Sequence, residues 1–453
     1  MKTRILDKLL RATILLAALC MTQQAWAVPS FARQTGLACN ACHTIAPQLN
    51  AFGRFFKLHG YVLGSDKLSG GTSQLSIDKF PPLSAMMIIS DTQTSKAQPD
   101  STVAGAGAQN GSVGFPQQLS MFYAGAIAEH MGAFSQFTYA QPSDHFTIDN
   151  TDIRYARDTN WDSHSMVWGV TINNNPTVQD VWNSTPAWGF PFISSGAAPR
   201  PAAAPLLAGA LAQGVAGVGA YGWMDNTWYG EFTLYRSSQA GSAQPLDSAA
   251  SGVFSNVAPY GRFAWEHTWS GGTGQNDLEA GVIAMTVHRY PGGGHALIGT
   301  TDDFRDTGVD AQYQYITGTD SFAMHAAYIH EQEDFSASSK LGLTNPSDHL
   351  NYWNVNASYY WDGDYGPTLG YFNTSGSTDP ILYAPAPLTG SATGSPDSSG
   401  WIAQWTWLPT MNVQVTTQYF LYSKFNGASS NYDGSGRKAS DNNTLYLALW
   451  ILW

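Results

Sequence analysis

The sequence has few cysteines, few charged residues and no long hydrophobic run after its first residues. Only 3 of 453 residues are Cys, and charged residues make up 12% of the chain, against about a quarter in a typical soluble protein. The scarcity of Cys excludes a disulfide-stapled fold. No later stretch approaches about eighteen consecutive apolar residues, which excludes a helical membrane protein. The net charge of −12 argues against nucleic acid as a partner.

Aromatic residues (13%) and glycine (45 residues) are abundant instead. From about Pro82 onward, segments of about ten residues alternate in polarity with a period of two. In the segment 262–269, Phe263, Trp265 and Trp269 share one face, and polar or small residues share the other. This pattern predicts an all-β fold, a transmembrane antiparallel β-barrel with one face toward lipid and one toward a polar lumen.

The last residues of the chain carry the sharpest alternation. Leu445, Leu447, Leu449, Ile451 and Trp453 form an unbroken apolar face that ends on an aromatic residue. This strand resembles the C-terminal recognition strand of bacterial outer-membrane proteins. The alternative, an edge strand of a soluble sheet, would expose an aggregation-prone apolar edge to water.

Segments of this kind predict about sixteen strands. Their expected starts lie near residues 82, 117, 133, 148, 164, 215, 227, 258, 276, 305, 320, 348, 365, 400, 411 and 444. Long connections, including 174–214, alternate with tight turns, and outer-membrane barrels place long loops outside and short turns in the periplasm. Both chain ends are therefore expected in the periplasm, with the barrel in outer-membrane lipid.

The first 27 residues predict a secretory signal peptide. A basic start precedes an apolar run, and Ala25-Trp26-Ala27 provides a small-residue cleavage site, so the mature chain is expected to begin at Val28. The alternative is a lipoprotein signal at Cys20, but the preceding Leu19 is larger than lipoprotein processing prefers.

Both remaining cysteines lie in one C-x-x-C-H motif formed by Cys39, Cys42 and His43. In this motif the thiols form thioethers to a haem and the adjacent His binds its iron, so we expect one covalently bound haem c. A metal-binding or redox C-x-x-C is the alternative, and it gives His43 no role. Residues 28–80 are expected to form a small helical cytochrome domain that plugs the lumen of the barrel, residues 81–453.

The second axial ligand of the haem iron is left open between two candidates. Met86 lies on the first predicted strand, on the lumenal face with two serines, where its thioether would raise the haem potential; it also fits a simple packing role. His59 ends a predicted short helix that starts near Ile45 and precedes Gly60, a plausible C-cap. The alternative for His59 is a histidine at the surface or in the C-terminal turn of the helix.

Several charged residues have an open role. We expect acidic side chains in the outside loops to attract a hard cation or simply to be solvated, and lumenal charges to bind haem propionates or line a wet pore. The acidic residues are Asp302, Asp303, Asp306, Glu331, Glu333 and Asp334, beside His330. The lumenal ones are Glu129, Arg154, Arg262 and Glu266.

The sequence resembles the outer-membrane monohaem cytochrome-porin fusions of iron-oxidising bacteria. The resemblance covers Phe31–Gly36, the haem motif, Phe52-Gly53-Arg54 with Lys57, Gly60-Tyr61, Pro82–Met86 and Asp149–Tyr155, and it fades over the later barrel. It implies a haem domain folded into a barrel of about sixteen strands that passes electrons from an external donor to periplasmic cytochromes.

Three functions follow as hypotheses. The first is a conduit that oxidises extracellular Fe(II) at the haem and reduces a periplasmic cytochrome or other electron carrier, formally an oxidoreductase. The second is the same conduit with another external donor or acceptor. The third is a porin in which the haem is only a structural plug.

Overall fold

Sixteen consecutive antiparallel strands form a closed barrel, as the sequence predicts. The computed structural model describes residues 28–63, 81–98, 110–140, 144–238, 252–292 and 297–453. Each barrel strand pairs with its neighbours in chain order, and the last strand pairs with the first. The predicted signal peptide and the predicted boundary near residue 80 lie outside the described residues.

The barrel strands are numbered after two short strands that precede them, β1 (His43–Ile45) and β2 (Gln48–Leu49). They are β3 (Leu83–Thr94), β4 (Gly111–Ala128), β5 (Met131–Ala140), β6 (His145–Trp161), β7 (His164–Asn173), β8 (Val215–Met224), β9 (Trp228–Ser237), β10 (Ala258–Gly271), β11 (Gly274–Arg289), β12 (Asp302–Ile316), β13 (Ser321–Asp334), β14 (Ser347–Tyr360), β15 (Tyr365–Gly376), β16 (Ser398–Thr410), β17 (Val413–Lys424) and β18 (Thr444–Leu452). The largest difference from the predicted starts is at β4, expected near residue 117.

Burial alternates along the strands because successive side chains point to opposite faces. On β3, Ser84, Met86, Ile88 and Ser90 are buried, whereas the exposed side of the barrel carries large apolar residues such as Phe263. The buried face is therefore the inner one. The inner position predicted for Met86 is confirmed.

The connections differ in length between the two ends of the barrel. Tight turns join β4 to β5, β6 to β7, β8 to β9, β10 to β11, β12 to β13, β14 to β15 and β16 to β17. The chain enters β3 and leaves β18 at this same end of the barrel. One long connection, 174–214, is not the outside loop that its length suggests. Trp182 is fully buried and Lys57 donates to the backbone of Val178 and Asp180, so this connection folds into the lumen.

The N-terminal segment, residues 28–63, packs against the inner face of the barrel. It contains helix α1 (Pro29–Thr35), the hairpin β1 (His43–Ile45) and β2 (Gln48–Leu49), and helix α2 (Ala51–Leu58). No helix within the described residues has both the length and the apolar character needed to span a membrane.

The predicted short helix begins six residues later and ends one residue earlier than its apolar spacing suggests. Ile45 and Leu49 lie in the hairpin, because Asn50 caps the helix by accepting a hydrogen bond from the Gly53 N–H, and Ala51 is the first helical residue. The helix ends at Leu58, and Gly60 takes the left-handed conformation (φ 72°) that lets the chain turn back.

Barrel closure predicts a cross-link between the first and last barrel strands. Ile89 on β3 is directly opposite Leu449 on β18, so the variant Ile89→Cys/Leu449→Cys should form a disulfide on mild oxidation, detected by peptide mass spectrometry. The control Ile89→Cys/Ala448→Cys places the thiols on opposite faces and should not cross-link. Equal cross-linking in both variants would contradict the register.

Candidate functional site

A cavity of about 390 Å³ lies inside the barrel, between the N-terminal segment and the inner wall. Cys39, Cys42 and His43 all line it, together with residues of β3, β4, β5 and β18 and of the connection 174–214, which we call the inward connection. Its apolar lining includes Phe31, Phe56, Met86, Ile88, Phe122, Phe134, Trp188, Phe192, Ile193, Trp450 and Leu452. Its volume is in the range of small-molecule and cofactor pockets, about 300 to 1,000 Å³.

The local backbone brings the three motif residues to one side of the cavity. A short 3-10 turn, Cys39–Ala41, separates the two thiols, and the hairpin that follows turns back on itself. His43 Nδ1 lies 3.2 Å from the carbonyl oxygen of Gln48. Because a carbonyl oxygen can only accept, Nδ1 is the donor and Nε2 carries no proton in the neutral ring, the arrangement usual for histidines that bind a metal.

The protonation of these groups also fits ligand chemistry. Burial lowers the pKa of His43 to about 4, an effect that the hydrogen bond to Gln48 partly opposes, so the imidazole is neutral near neutral pH. Burial raises the pKa of Cys42 to about 11, and burial together with the nearby Cys42 raises that of Cys39 further. Reactive redox cysteines have lowered pKa values. The pKa shifts of this pair have the opposite direction.

Helix α2 holds the motif from the other side. The amide of Asn50 donates to the carbonyl oxygens of Asn40 and Ala41, and a Cβ at Gly53 would lie 2.2 Å from the Cys42 carbonyl oxygen. Only glycine permits this approach. Neither Asn50 nor the role of Gly53 was apparent from the sequence, although Asn is a preferred N-cap residue.

Arg54 ties helix α2 to the barrel wall. Its guanidinium is 1% exposed and lies 2.8 Å from Glu266 of β10 and 2.7 Å from Asp277 of β11. It also donates to Gln314 of β12, at 3.1 Å. A buried guanidinium keeps its charge and must be paired, so these contacts fix the N-terminal segment in the lumen.

Lys57 ties the same helix to the inward connection. Its ammonium donates to the carbonyl oxygens of Val178, at 2.8 Å, and Asp180, at 2.7 Å, and lies 4.6 Å from the centre of the Trp188 ring. The pKa of Lys57 is lowered to about 7; burial is the largest cause, and the repulsion from Arg154 is the second. Trp188 itself lines the cavity. The connection thus covers the cavity and is held by the helix beneath it.

One of the two candidate axial ligands lines the cavity, and the other does not. Met86 is 3% exposed and lines the cavity that contains the haem motif. His59 does not line that cavity. Its Nδ1 lies 2.7 Å from the Phe55 carbonyl oxygen and its Nε2 lies 3.0 Å from Asp158, in a separate cleft at the tight-turn end.

Three of the four predicted lumenal charges are buried and paired inside the barrel. Arg154 contacts Asp152 at 2.7 Å, Arg262 contacts Asp180, Glu279 and Asp310, and Glu266 holds Arg54. Placing Glu129 in the lumen was wrong. It lies in the tight turn between β4 and β5 with its side chain 73% exposed.

The expectation that the acidic side chains lie in outside loops was also wrong. They lie on β12 and β13, because these strands extend further than their alternation indicated, and Asp302, Asp306, Glu331 and Glu333 point inward and are buried. Asp306 and Glu331 accept backbone N–H groups of the inward connection. Within the described ranges, no three His, Cys, Asp or Glu side chains are grouped to hold a metal ion.

No family model matches the chain, and no curated protein matches it. Similar solved structures include Salmonella typhi OmpF in complex with daunomycin (12% identity, 82% of this chain and 97% of that chain, TM-score 0.46). Others are the channel DcaP of Acinetobacter baumannii (10%, 82% and 96%, 0.44) and an anion-selective porin from Comamonas acidovorans (11%, 82% and 98%, 0.44). At these TM-scores the likeness does not bear on function.

The fold and the site together define a class: a closed sixteen-stranded barrel with a C-x-x-C-H motif at an internal apolar cavity.

Loss of the Arg54 charge is expected to loosen the N-terminal segment. Arg54→Met leaves Glu266 and Asp277 buried without a cation and should destabilise the packed segment by about 3 to 5 kcal/mol. Limited proteolysis should then cut within residues 28–63 much faster than in the parent protein. The triple variant Arg54→Met/Glu266→Gln/Asp277→Asn removes the like-charge repulsion and should recover most of the resistance. Unchanged proteolysis of Arg54→Met would show that the ion pairs do not hold the segment.

Proposed function

We propose that this protein is an outer-membrane electron conduit that carries one haem c, oxidises extracellular Fe(II) and reduces a periplasmic electron carrier. The observation that carries the proposal is the internal cavity: both motif thiols, His43 and the thioether of Met86 line one apolar space inside a closed barrel. The donor set of two thiols and a neutral imidazole is the one that attaches and ligates haem c.

The residues present fit a haem. Cys39 and Cys42 would hold it through thioethers, His43 would bind the iron through Nε2, and Met86 would supply the second axial ligand. When bound, the haem iron supplies one-electron redox chemistry. The aromatic and aliphatic lining would exclude water, and Trp188 and its neighbours in the inward connection would cover the site.

The thickness of the membrane explains why a haem would lie inside the barrel. The two aqueous phases across a membrane are about 40 to 45 Å apart, so a haem at either surface would not serve both. The cavity begins near the tight turn at Asn412 and extends to Gln118 within β4. One electron leaves each ferrous ion outside, one carrier is reduced inside, and no ion needs to cross.

The outer surface and the connections support the membrane assignment. Exposed apolar residues lie on the outward faces of the strands, among them Val170, Ile172, Val282 and Leu369. Long connections lie at one end and tight turns at the other, as in outer-membrane barrels. Under the proposal, the tight-turn end with both termini of the barrel faces the periplasm.

The choice of Fe(II) as donor rests on the resemblance to the cytochrome-porin fusions. Arg54 and Lys57, two residues of that resemblance, make the contacts that hold helix α2 in the lumen. A conduit for another external donor would use the same site.

A porin with a structural haem plug is the second candidate, favoured by the closed barrel itself. Against it, the N-terminal segment and the connection 174–214 share the lumen and bind each other through Lys57.

An iron titration of the purified protein tests the proposal. Added Fe(II) should reduce the haem, seen as the sharpened ferrous α band, and liposomes that carry the protein and enclose a cytochrome acceptor should show internal reduction when Fe(II) is supplied outside. Protein with Cys39→Ala/Cys42→Ala is the control, since it cannot attach haem covalently. A haem that stays oxidised at every pH tested, in a protein that conducts ions across planar bilayers, would favour the porin.

The assignment of Met86 makes a separate prediction. Met86→Leu should abolish the sulfur-to-iron charge-transfer band of the ferric protein and shift the reduction potential to a more negative value, because a thioether ligand stabilises ferrous iron. Met87→Leu, one residue along and on the opposite face, and His59→Gln should leave both properties unchanged. An unaltered spectrum of Met86→Leu, with a changed spectrum of His59→Gln, would reverse the assignment.

A further inference from the structure

An exposed aromatic patch on helix α2 lies at the tight-turn end of the barrel. Phe52 and Phe55 are 37% and 39% exposed, and their rings stack with centroids 6.3 Å apart. Phe55 borders a shallow cleft of about 280 Å³ whose other walls, including Asn160 and Asn226, belong to strand ends and turns at this end. Between the two aromatic residues, Gly53 packs on the backbone of the haem motif. The patch therefore lies directly over the predicted attachment site.

The turns around this patch are acidic. None of the tight turns, all of which lie within the described residues, contains Lys or Arg. Their acidic residues, together with Asp158 at the end of β6, form what we call the acidic rim: Glu129, Asp158, Asp162, Asp225, Asp320, Asp362 and Asp364. Most of these side chains are exposed. The rim thus surrounds the aromatic patch with negative charge.

The basic residues are distributed in the opposite way. Within the described residues, the basic residues that lie in connections between strands all belong to the long connections: Lys96, Arg200, Lys340, Arg437 and Lys438. Among the described residues near the rim, Arg33 and Arg157 are exposed, and Arg33 donates to the Leu83 carbonyl oxygen. Within the described residues, the long connections therefore hold basic and acidic residues in nearly equal number, whereas the rim keeps a net negative charge.

An apolar centre with a charged border is the usual anatomy of a protein interface. Electron-transfer partners meet through small, transient interfaces, and opposite charges speed their encounter. We infer that the acidic rim and the patch of Phe52 and Phe55 form the docking surface for a soluble redox protein with a positively charged, lysine-rich face. This inference rests on the proposed function and adds to it the place and charge of the electron acceptor.

The test uses two probes that differ in charge alone. A basic mitochondrial cytochrome c and the same protein with its lysines succinylated are mixed, in stopped flow, with the ascorbate-reduced full-length protein in detergent. Electron transfer to the basic probe should be at least about tenfold faster at low ionic strength and should slow steeply as salt is added. Transfer to the succinylated probe should be slow and should speed up with salt.

Charge variants locate the surface. Glu129→Gln/Asp162→Asn/Asp362→Asn/Asp364→Asn neutralises four exposed carboxylates of the rim, and Asn tolerates the left-handed backbone at residues 162 and 362. This variant should lose most of the preference for the basic probe. The control Asp91→Asn/Asp144→Asn/Asp303→Asn/Asp334→Asn makes the same change of charge at the opposite end of the barrel, near the long connections. This control should keep the preference for the basic probe.

The outcomes separate this inference from the proposed function. Ascorbate replaces iron in the electron-transfer assay, so a failure of Fe(II) as donor would not affect the comparison of the two probes. Binding of the basic probe, measured by calorimetry, does not require a haem. Equal rates and affinities for the two probes, or an undiminished preference in the rim variant, would overturn the docking surface. Replacement of Phe52 and Phe55 by Ser should weaken binding without changing its salt dependence; an unchanged affinity would remove the patch from the interface.

Discussion

The burial of Arg54 is the contact on which the arrangement of the lumen depends. A guanidinium does not release its proton in a protein, so its place inside the barrel requires carboxylates at contact distance, and Glu266 and Asp277 on neighbouring strands provide them. Because Arg54 follows Gly53, which packs on the haem motif, the position of one ion pair also sets the position of the motif. Two adjacent residues, Gly53 and Arg54, therefore connect the haem motif to the barrel wall.

A second set of contacts extends this coupling to the cover of the cavity. Lys57 binds the backbone of the inward connection, and Asp180 of that connection binds Arg262 of the wall. Asp180 also accepts the backbone N–H groups of Trp182 and Thr185. A chain of charged contacts thus runs from helix α2 through the cover to the barrel.

Local pattern predicted much of the fold and less of the site. The sixteen strands and the inner position of Met86 follow from a period of two, which a strand imposes on any sequence with one buried face. Burial of the connection 174–214 does not follow, because it depends on Lys57 and Arg262, distant partners that only the closed barrel brings together. The acidic residues of β12 and β13 were misplaced for a related reason: inward strand positions in a filled lumen can be charged when a backbone N–H or an arginine is opposite.

The lumen is divided into two unlike halves, and this division bears on redox chemistry. Buried charges such as Glu231, Glu279 and Asp310 lie on β9 to β12, whereas the barrel strands contribute apolar residues such as Phe122 and Trp450 to the cavity lining. Lys57 and Asp180 bring charge to that lining from the N-terminal segment and the inward connection. With the proposed haem bound, an apolar surround would disfavour the additional positive charge of the ferric state and so raise the reduction potential, and a thioether ligand would act in the same direction. A weak reductant such as ferrous iron transfers an electron only to a site of high potential. Under the proposed function, the apolar strands around the cavity therefore favour the donor that the resemblance implies.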